Sequence, residues 1–194
     1  SVLSSSPLCG MGFCGGFILG RACAGIIIRR NRAHCEAHRE PDAKRHNYKH
    51  CPVHAMQITR RLEFDAGHRI PDHQSHCRHL HGHRYVIEIT LTGEVIQANG
   101  QPMNGMVMDF SEVKSLALES LVDSWDHAFL VYCGDTTIVE FLKTIPGHKT
   151  VVLDVVPTAE NLAAIAFAKL DAVYRDRYGN HLQLERIRLY ETPN

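Results

Sequence analysis

Two segments of this chain alternate apolar with polar residues, and that period of two commits them to strands before anything else is considered. In the first, Ile58, Leu62 and Phe64 share one face while Thr59, Arg61 and Glu63 share the other, over a strand that starts at Met56 and is expected to end near Asp65. In the second, expected from about His83 to Glu94, Tyr85, Ile87, Ile89 and Leu91 oppose Glu88, Thr90 and Thr92. One face of each can be buried and the other left wet, as in an antiparallel sheet with one covered side. Six histidines, His68, His73, His76, His79, His81 and His83, crowd the stretch that joins them. That density points to metal or proton chemistry.

Downstream the patterns change to helical. Asp109, with Glu112 three residues on, resembles a capping box, and the helix it opens runs to about Asp123 with Val113, Leu116 and Leu121 inward. Val151, Val152 and Leu153 read as a short strand. Thr158 is the expected N-cap of a longer helix that buries Leu162, Ile165, Ala166, Leu170 and Val173 and stops at Gly179. A last strand covers 182–191. Two strands, two main helices with a short strand between them, and a closing strand make an α+β domain with an antiparallel sheet. The segment from Tyr132 to Thr150 holds turn signals at Gly134-Asp135 and Pro146-Gly147 and is expected to be a connection, with Cys133 structural.

Charge and cysteine divide the 194 residues at the same place. Residues 1–55 hold eight basic and three acidic side chains, a net +5; the other 139 hold thirteen and eighteen, a net −5. The acidic main domain argues against nucleic acid as a partner. Five of the seven cysteines precede residue 56, so the domain has no disulfide framework. Residues 8–28 are apolar and rich in glycine, but Arg21 interrupts them and Arg29, Arg30 and Arg32 follow, an order that fits neither a secretory signal nor a membrane anchor. Residues 29–55 show no period. The expectation is that 1–55 is an unstructured or spurious extension, with Met56 as the natural start of a domain spanning 56–194. A competing reading, a small zinc finger on Cys35, His38, Cys51 and His54, lacks apolar residues between its pairs to build a core.

Within the histidine-rich stretch the strongest pattern is His81-Gly82-His83. Residues i and i+2 of an extended chain point the same way, so both imidazoles can face one ion, with Gly82 removing a side chain that would crowd it. His68, just past the first strand, supplies a third ligand if the strands pair as a hairpin. Three neutral imidazoles leave zinc's fourth position open, which is the arrangement of catalytic sites. Taken singly, each histidine reads as a strand cap or a wet loop residue; the coincidence of three carries the metal reading. His73, His76 and His79 are expected to be solvated or to face substrate.

Five motifs in order then carry a resemblance over Met56 to the C-terminus. Phe64-Asp65-Ala66-Gly67-His68, Cys77-x3-His81-Gly82-His83, Asp126-His127, Pro157-Thr158-Ala159-Glu160-Asn161 and Leu189-Tyr190-Glu191-Thr192 resemble the 6-pyruvoyl-tetrahydropterin synthase superfamily. The three residues between Cys77 and His81 are similar to its carboxy-forming branch, of the queuosine pathway, rather than to the pyruvoyl-forming one. The resemblance implies a cytoplasmic lyase that converts 7,8-dihydroneopterin triphosphate to 6-carboxytetrahydropterin, acetaldehyde and triphosphate. It implies zinc on His68, His81 and His83, Cys77 with Asp126 and His127 as catalytic groups, and Glu191, Thr158 and Glu160 as the pterin pocket. The chemistry of each is apt: a thiolate near positive charge can take a carbon-bound proton, and a carboxylate fixes the tautomer of a neighbouring imidazole. One carboxylate, Glu191, can accept two parallel hydrogen bonds from a pterin. Arg60, Arg61, Arg69, Arg78 and Arg84 are candidates for the triphosphate. The implied fold is the tunnelling fold, a homohexamer of two trimers whose sheets join into barrels with active sites between neighbours. Neither membrane nor nucleic acid is an expected partner. A pyruvoyl-forming or sepiapterin-directed relative, and a non-catalytic zinc-buffering module, are the rival readings.

Overall fold

The structure, a computed structural model, describes residues 18–22, 25–30 and 55–192. The long alternating segments become β3 (Met56–His68) and β4 (His81–Gly93), each of 13 residues, paired antiparallel along their whole length. Helix α1 (Phe110–Ala117) passes through a π-helical turn, Leu118–Val122, into the short α2 (Asp123–Trp125). Then follow β5 (Ala128–Tyr132), α3 (Thr136–Lys143), β6 (Thr150–Leu153), α4 (Ala159–Tyr178) and β7 (Leu182–Tyr190). Two strands, β1 (Ile18–Ala22) and β2 (Gly25–Arg29), precede them. The sheet order is β1-β2-β7-β4-β3-β5-β6.

The sheet is mixed, which corrects the purely antiparallel expectation. β5 runs parallel to β3, and β6 parallel to β5. Helices carry the chain back over the sheet before each of these strands, and a helical return sets a strand down in the direction it started from. β5 and α3 were not expected: Ala128–Tyr132 is five residues of near-continuous apolar character, without alternation to announce a strand. Cys133 is exposed rather than structural. The first strand also runs three residues past Asp65, to His68.

The extension is the second correction. No element was expected before Met56, yet Ile26–Arg29 pairs with β7, opposing Ile26 to Leu189 and Ile28 to Ile187. Ile27 and Ile28 are buried, and Arg30 ties the strand down through the Leu184 carbonyl and an ion pair with Asp171 on α4. Three consecutive isoleucines in a glycine-rich stretch offer no period, only burial against a waiting edge. The Cys35, His38, Cys51 and His54 quartet and most of the remaining extension lie outside the described residues.

The core lies between one face of the sheet and α1, α2 and α4. Phe64 stacks on Tyr85 at 5.1 Å between ring centroids, and Trp125 meets Phe64 edge-on at 5.9 Å. The capping expectations held in part. Thr158 and Asp109 both cap, but Glu112 does not close a box: it accepts from the Tyr178 hydroxyl at 3.1 Å. No helix among the described residues is long and apolar enough to cross a membrane. Leu170 on α4 is fully buried, so Leu170→Ala should lower stability by about 2–5 kcal/mol, measured as an earlier urea midpoint with an unchanged slope.

Candidate metal centre and its surroundings

The hairpin register builds the centre. Cross-strand pairs in an antiparallel ladder share a face, and here Ala66 opposes His83 while His68 opposes His81. His68, His81 and His83 therefore stand on the core side at the end of the sheet, with ring centroids 4.5, 5.2 and 5.0 Å apart. Their ligand nitrogens all lie within 4.8 Å of one another, and among the described residues this is the group able to hold a metal ion.

Two of the three rings are held in the tautomer a metal needs. His68 Nδ1 lies 2.7 Å from the Pro157 carbonyl and His81 Nδ1 2.7 Å from the His79 carbonyl. A carbonyl only accepts, so each Nδ1 carries the proton and each Nε2 keeps its lone pair. His68 Nε2 is buried and has no hydrogen-bond partner, an orphan that a cation would satisfy. Burial pushes the His68 imidazole down to about 4, against the opposing pull of the Pro157 hydrogen bond, with His81 and His83 adding to the depression. It is therefore the neutral ligand form at physiological pH. Three imidazoles whose ligand nitrogens converge on one point fit a borderline divalent ion.

Gly82 has a different reason from the one expected. It points to the opposite face from the histidines, where an added Cβ would lie 3.0 Å from the Ala66 carbonyl. Its facing partner Gly67 lies under the Phe129 ring, 2.6 Å from where a Cβ would sit. The two glycines admit close approach of backbone and ring behind the ion site; they do not clear room for the ion.

Beside the centre opens a cavity of about 530 Å³ whose lining includes Ile26, His73, Thr158, Glu160 and Glu191. Glu191 Oε1 is 3.8 Å from His68 Nε2. Burial raises the Glu191 carboxyl above its ordinary value, and Glu160 adds to that while His83 and His81 oppose it. Thr158 Oγ1 also accepts from the Asn161 amide at 3.3 Å, so it caps α4 as well as lining the cavity. His76 and His79 are exposed. Cys77 is a half-buried free thiol on a short helical turn, His76–Arg78, whose carbonyl takes a 2.8 Å hydrogen bond from the Ile70 amide.

Asp126 and His127 lie elsewhere. Their side chains meet at 2.9 Å, and Asp126 Oδ1 accepts from the Asp65 amide at 2.9 Å. That backbone hydrogen bond is the main cause holding the Asp126 carboxyl below the usual range. His127 is the one non-glycine residue with positive φ, 56°, among the described residues, a conformation that costs energy and concentrates at functional sites. His127 borders a second cavity, of about 490 Å³, whose lining also includes Asp65, His83, Arg84 and His148. Asp65 and Arg84 oppose each other one step along the ladder from Ala66 and His83, so their side chains are on the outer face. Arg84 there binds Asp65 through two hydrogen bonds of 3.0 and 2.9 Å. The structure thus brings the three histidines and the three cavity residues together, and within one chain sets the Asp126–His127 pair beside Asp65 and Arg84, on the outer side of the hairpin. Of the candidate arginines, Arg61, Arg69 and Arg84 each face a carboxylate, and Arg78 is exposed on the turn that carries Cys77. The Pro157 carbonyl is the group sequence reasoning missed, because a backbone acceptor leaves no trace in residue identity.

The fold and the centre define a tunnelling-fold protein with a three-histidine site suited to a metal ion. The chain belongs to the 6-pyruvoyl tetrahydropterin synthase family, whose model matches residues 57–194. It is 40% identical over 139 residues to the 6-carboxy-5,6,7,8-tetrahydropterin synthase of Rickettsia bellii, covering 72% of this chain and 96% of that protein. To the Haemophilus influenzae protein of the same name it is 29% identical over 141 residues, 71% and 94% of the two chains. Among solved structures, an uncharacterized protein from Wolinella succinogenes has TM-score 0.56 at 21% identity, covering 72% of this chain and 94% of that one. The 6-pyruvoyl tetrahydropterin synthase of Plasmodium vivax has TM-score 0.52 at 15% identity, covering 73% and 94%. These two likenesses concern the fold.

The depressed His68 pKa fixes a pH dependence for the metal-free chain. Below the ordinary value of 6.5 the unfolded imidazole takes a proton that the folded one refuses until about 4, so stability falls as pH falls through that window, by up to about 1.4 kcal/mol per unit. Urea unfolding from pH 7 to 4 should show this slope in the metal-free protein and a shallower one in His68→Gln.

Proposed function

We propose that this chain converts 7,8-dihydroneopterin triphosphate to 6-carboxy-5,6,7,8-tetrahydropterin, releasing acetaldehyde and triphosphate, as a cytoplasmic carbon–carbon lyase of the queuosine pathway. The observation that carries the reading is the convergence of His68, His81 and His83 beside a cavity that holds the partly buried carboxylate Glu191. The name of the Rickettsia bellii relative and the three-residue spacing of Cys77 and His81 favour the carboxy product. The description of the family model favours the pyruvoyl product; release of acetaldehyde decides between them.

The ion we assign is zinc, on His68, His81 and His83; when bound it supplies Lewis acidity toward the hydroxyls of the substrate side chain. The remaining chemistry falls to side chains. Glu191 accepts hydrogen bonds from a ring N–H and the amino group of the pterin, with Thr158 and Glu160 in the same cavity wall. Cys77, as thiolate, removes a carbon-bound proton from the side chain, helped by the neighbouring Arg78. Asp126 fixes the ring of His127, which passes protons to or from the reacting fragment.

These roles require a second copy. Asp126 and His127 stand on the face opposite the histidine centre, so the pair serves the centre of a neighbour when sheets join. Among the described residues the sheet ends at β6 on one side and at β1 on the other, and an edge strand is where another chain can add. The assembly we assign is the homohexamer of stacked trimers; light scattering of the zinc-loaded protein that returns a monomer would refute it.

Two single variants test the division of labour. Cys77→Ala and His127→Ala should each bind zinc normally and lose about 10²- to 10⁴-fold in turnover. Co-assembled from a mixed denatured state, they should regain roughly a quarter of wild-type activity, because random neighbours rebuild some intact sites. No recovery on mixing would place both groups in one chain's site, and unimpaired Cys77→Ala would favour a zinc-buffering module.

A further inference from the structure

His68 is oriented by the Pro157 carbonyl, and that carbonyl belongs to a three-residue turn whose shape depends on one side chain further along. The Thr158 amide donates to the Val156 carbonyl at 2.8 Å, closing the turn around Pro157. Asn161 Nδ2 donates to the same Val156 oxygen, also at 2.8 Å, from the first turn of α4. With Val156 O held from two sides and the proline ring fixing φ, the Pro157 carbonyl is left pointing to His68 Nδ1, 2.7 Å away. Helix capping does not need this second contact: Thr158 Oγ1 already takes the Asn161 backbone amide. The Asn161 carboxamide thus serves the turn rather than the helix.

We propose that Asn161 is a positioning residue for the metal-binding imidazole of His68, acting through the Val156–Thr158 turn. The proposal rests on the reading of His68, His81 and His83 as a metal centre. A hydrogen bond to Nδ1 sets both which nitrogen is free and where its lone pair points. If the turn relaxes, the Pro157 oxygen moves off the ring plane of His68, and a buried imidazole with little other polar support turns with it. His81 is oriented separately by its own neighbour, the His79 carbonyl, so the loss falls on one ligand of three.

Asn161→Asp separates the two roles of this position. It keeps the size, places an acid in the first turn of α4, where the helix dipole favours it, and removes the donor that holds Val156 O. Asn161→Ala removes the donor without adding charge. Asp109→Ala, which removes the cap of the remote α1, controls for general loosening. Zinc affinity would be measured by competition with a chromogenic chelator, beside the visible absorption of the cobalt-substituted proteins and the melting of the metal-free forms.

Both Asn161 variants should bind zinc about tenfold more weakly and show an altered cobalt band. Metal-free Asn161→Asp should melt within about 2 °C of wild type, and Asp109→Ala should keep wild-type zinc affinity. Wild-type zinc binding in the Asn161 variants overturns the proposal, as does an equal loss in Asp109→Ala. Failure of the wild-type chain itself to bind zinc overturns the metal centre, and this inference with it.

Discussion

The register of β3 against β4 is the constraint on which the rest depends. Side chains in a ladder repeat every two residues, so a slip of one would turn His68 to the outer face while leaving His81 and His83 on the inner one. Nothing in the histidines themselves prevents such a slip. The register is held by the core: Leu62 against Ile87, Phe64 stacked on Tyr85, and β7 adding Ile187 and Leu189 on the far side of β4. Burying one such side chain stabilises the correct pairing by about 1.5–3 kcal/mol. The accuracy of the metal centre is therefore set by apolar packing some distance from it.

The same hairpin separates two kinds of chemistry. Its inner face, roofed by the turn before α4, holds His68, kept neutral by burial, and the imidazoles beside it, with His68 and His81 oriented by backbone carbonyls. Its outer face, uncovered beside β5, holds the charged set of Asp65, Arg84, Asp126 and His127. A thin sheet with reactive groups on both faces has little means of using them together inside one chain.

The long strands, the caps at Asp109 and Thr158, the stop at Gly179 and the grouping of the three histidines were all legible in residue order. Each depends on local rules: a period of two, a hydroxyl or carboxylate before a helix, glycine at a positive φ, two imidazoles at i and i+2. β5 and β2 run differently. Ala128–Tyr132 and Ile26–Ile28 carry no alternation, and what makes them strands is an edge already present to receive them. The true reason for Gly82 was hidden likewise, since its crowding neighbour is a carbonyl of the paired strand.

What the sequence determined by itself is the set of candidate groups: three histidines, a thiol, an acid–imidazole pair and the carboxylate of Glu191, on elements whose types follow largely from short-range physics. What only the tertiary structure decided is which of these groups share a space. Packing put Glu191 beside His68 and the Pro157 carbonyl behind it, and turned Asp126 and His127 to the other side of the sheet. Proximity between residues some 60 to 120 positions apart depends on how helices return the chain to the sheet, and local sequence preferences carry no record of that path.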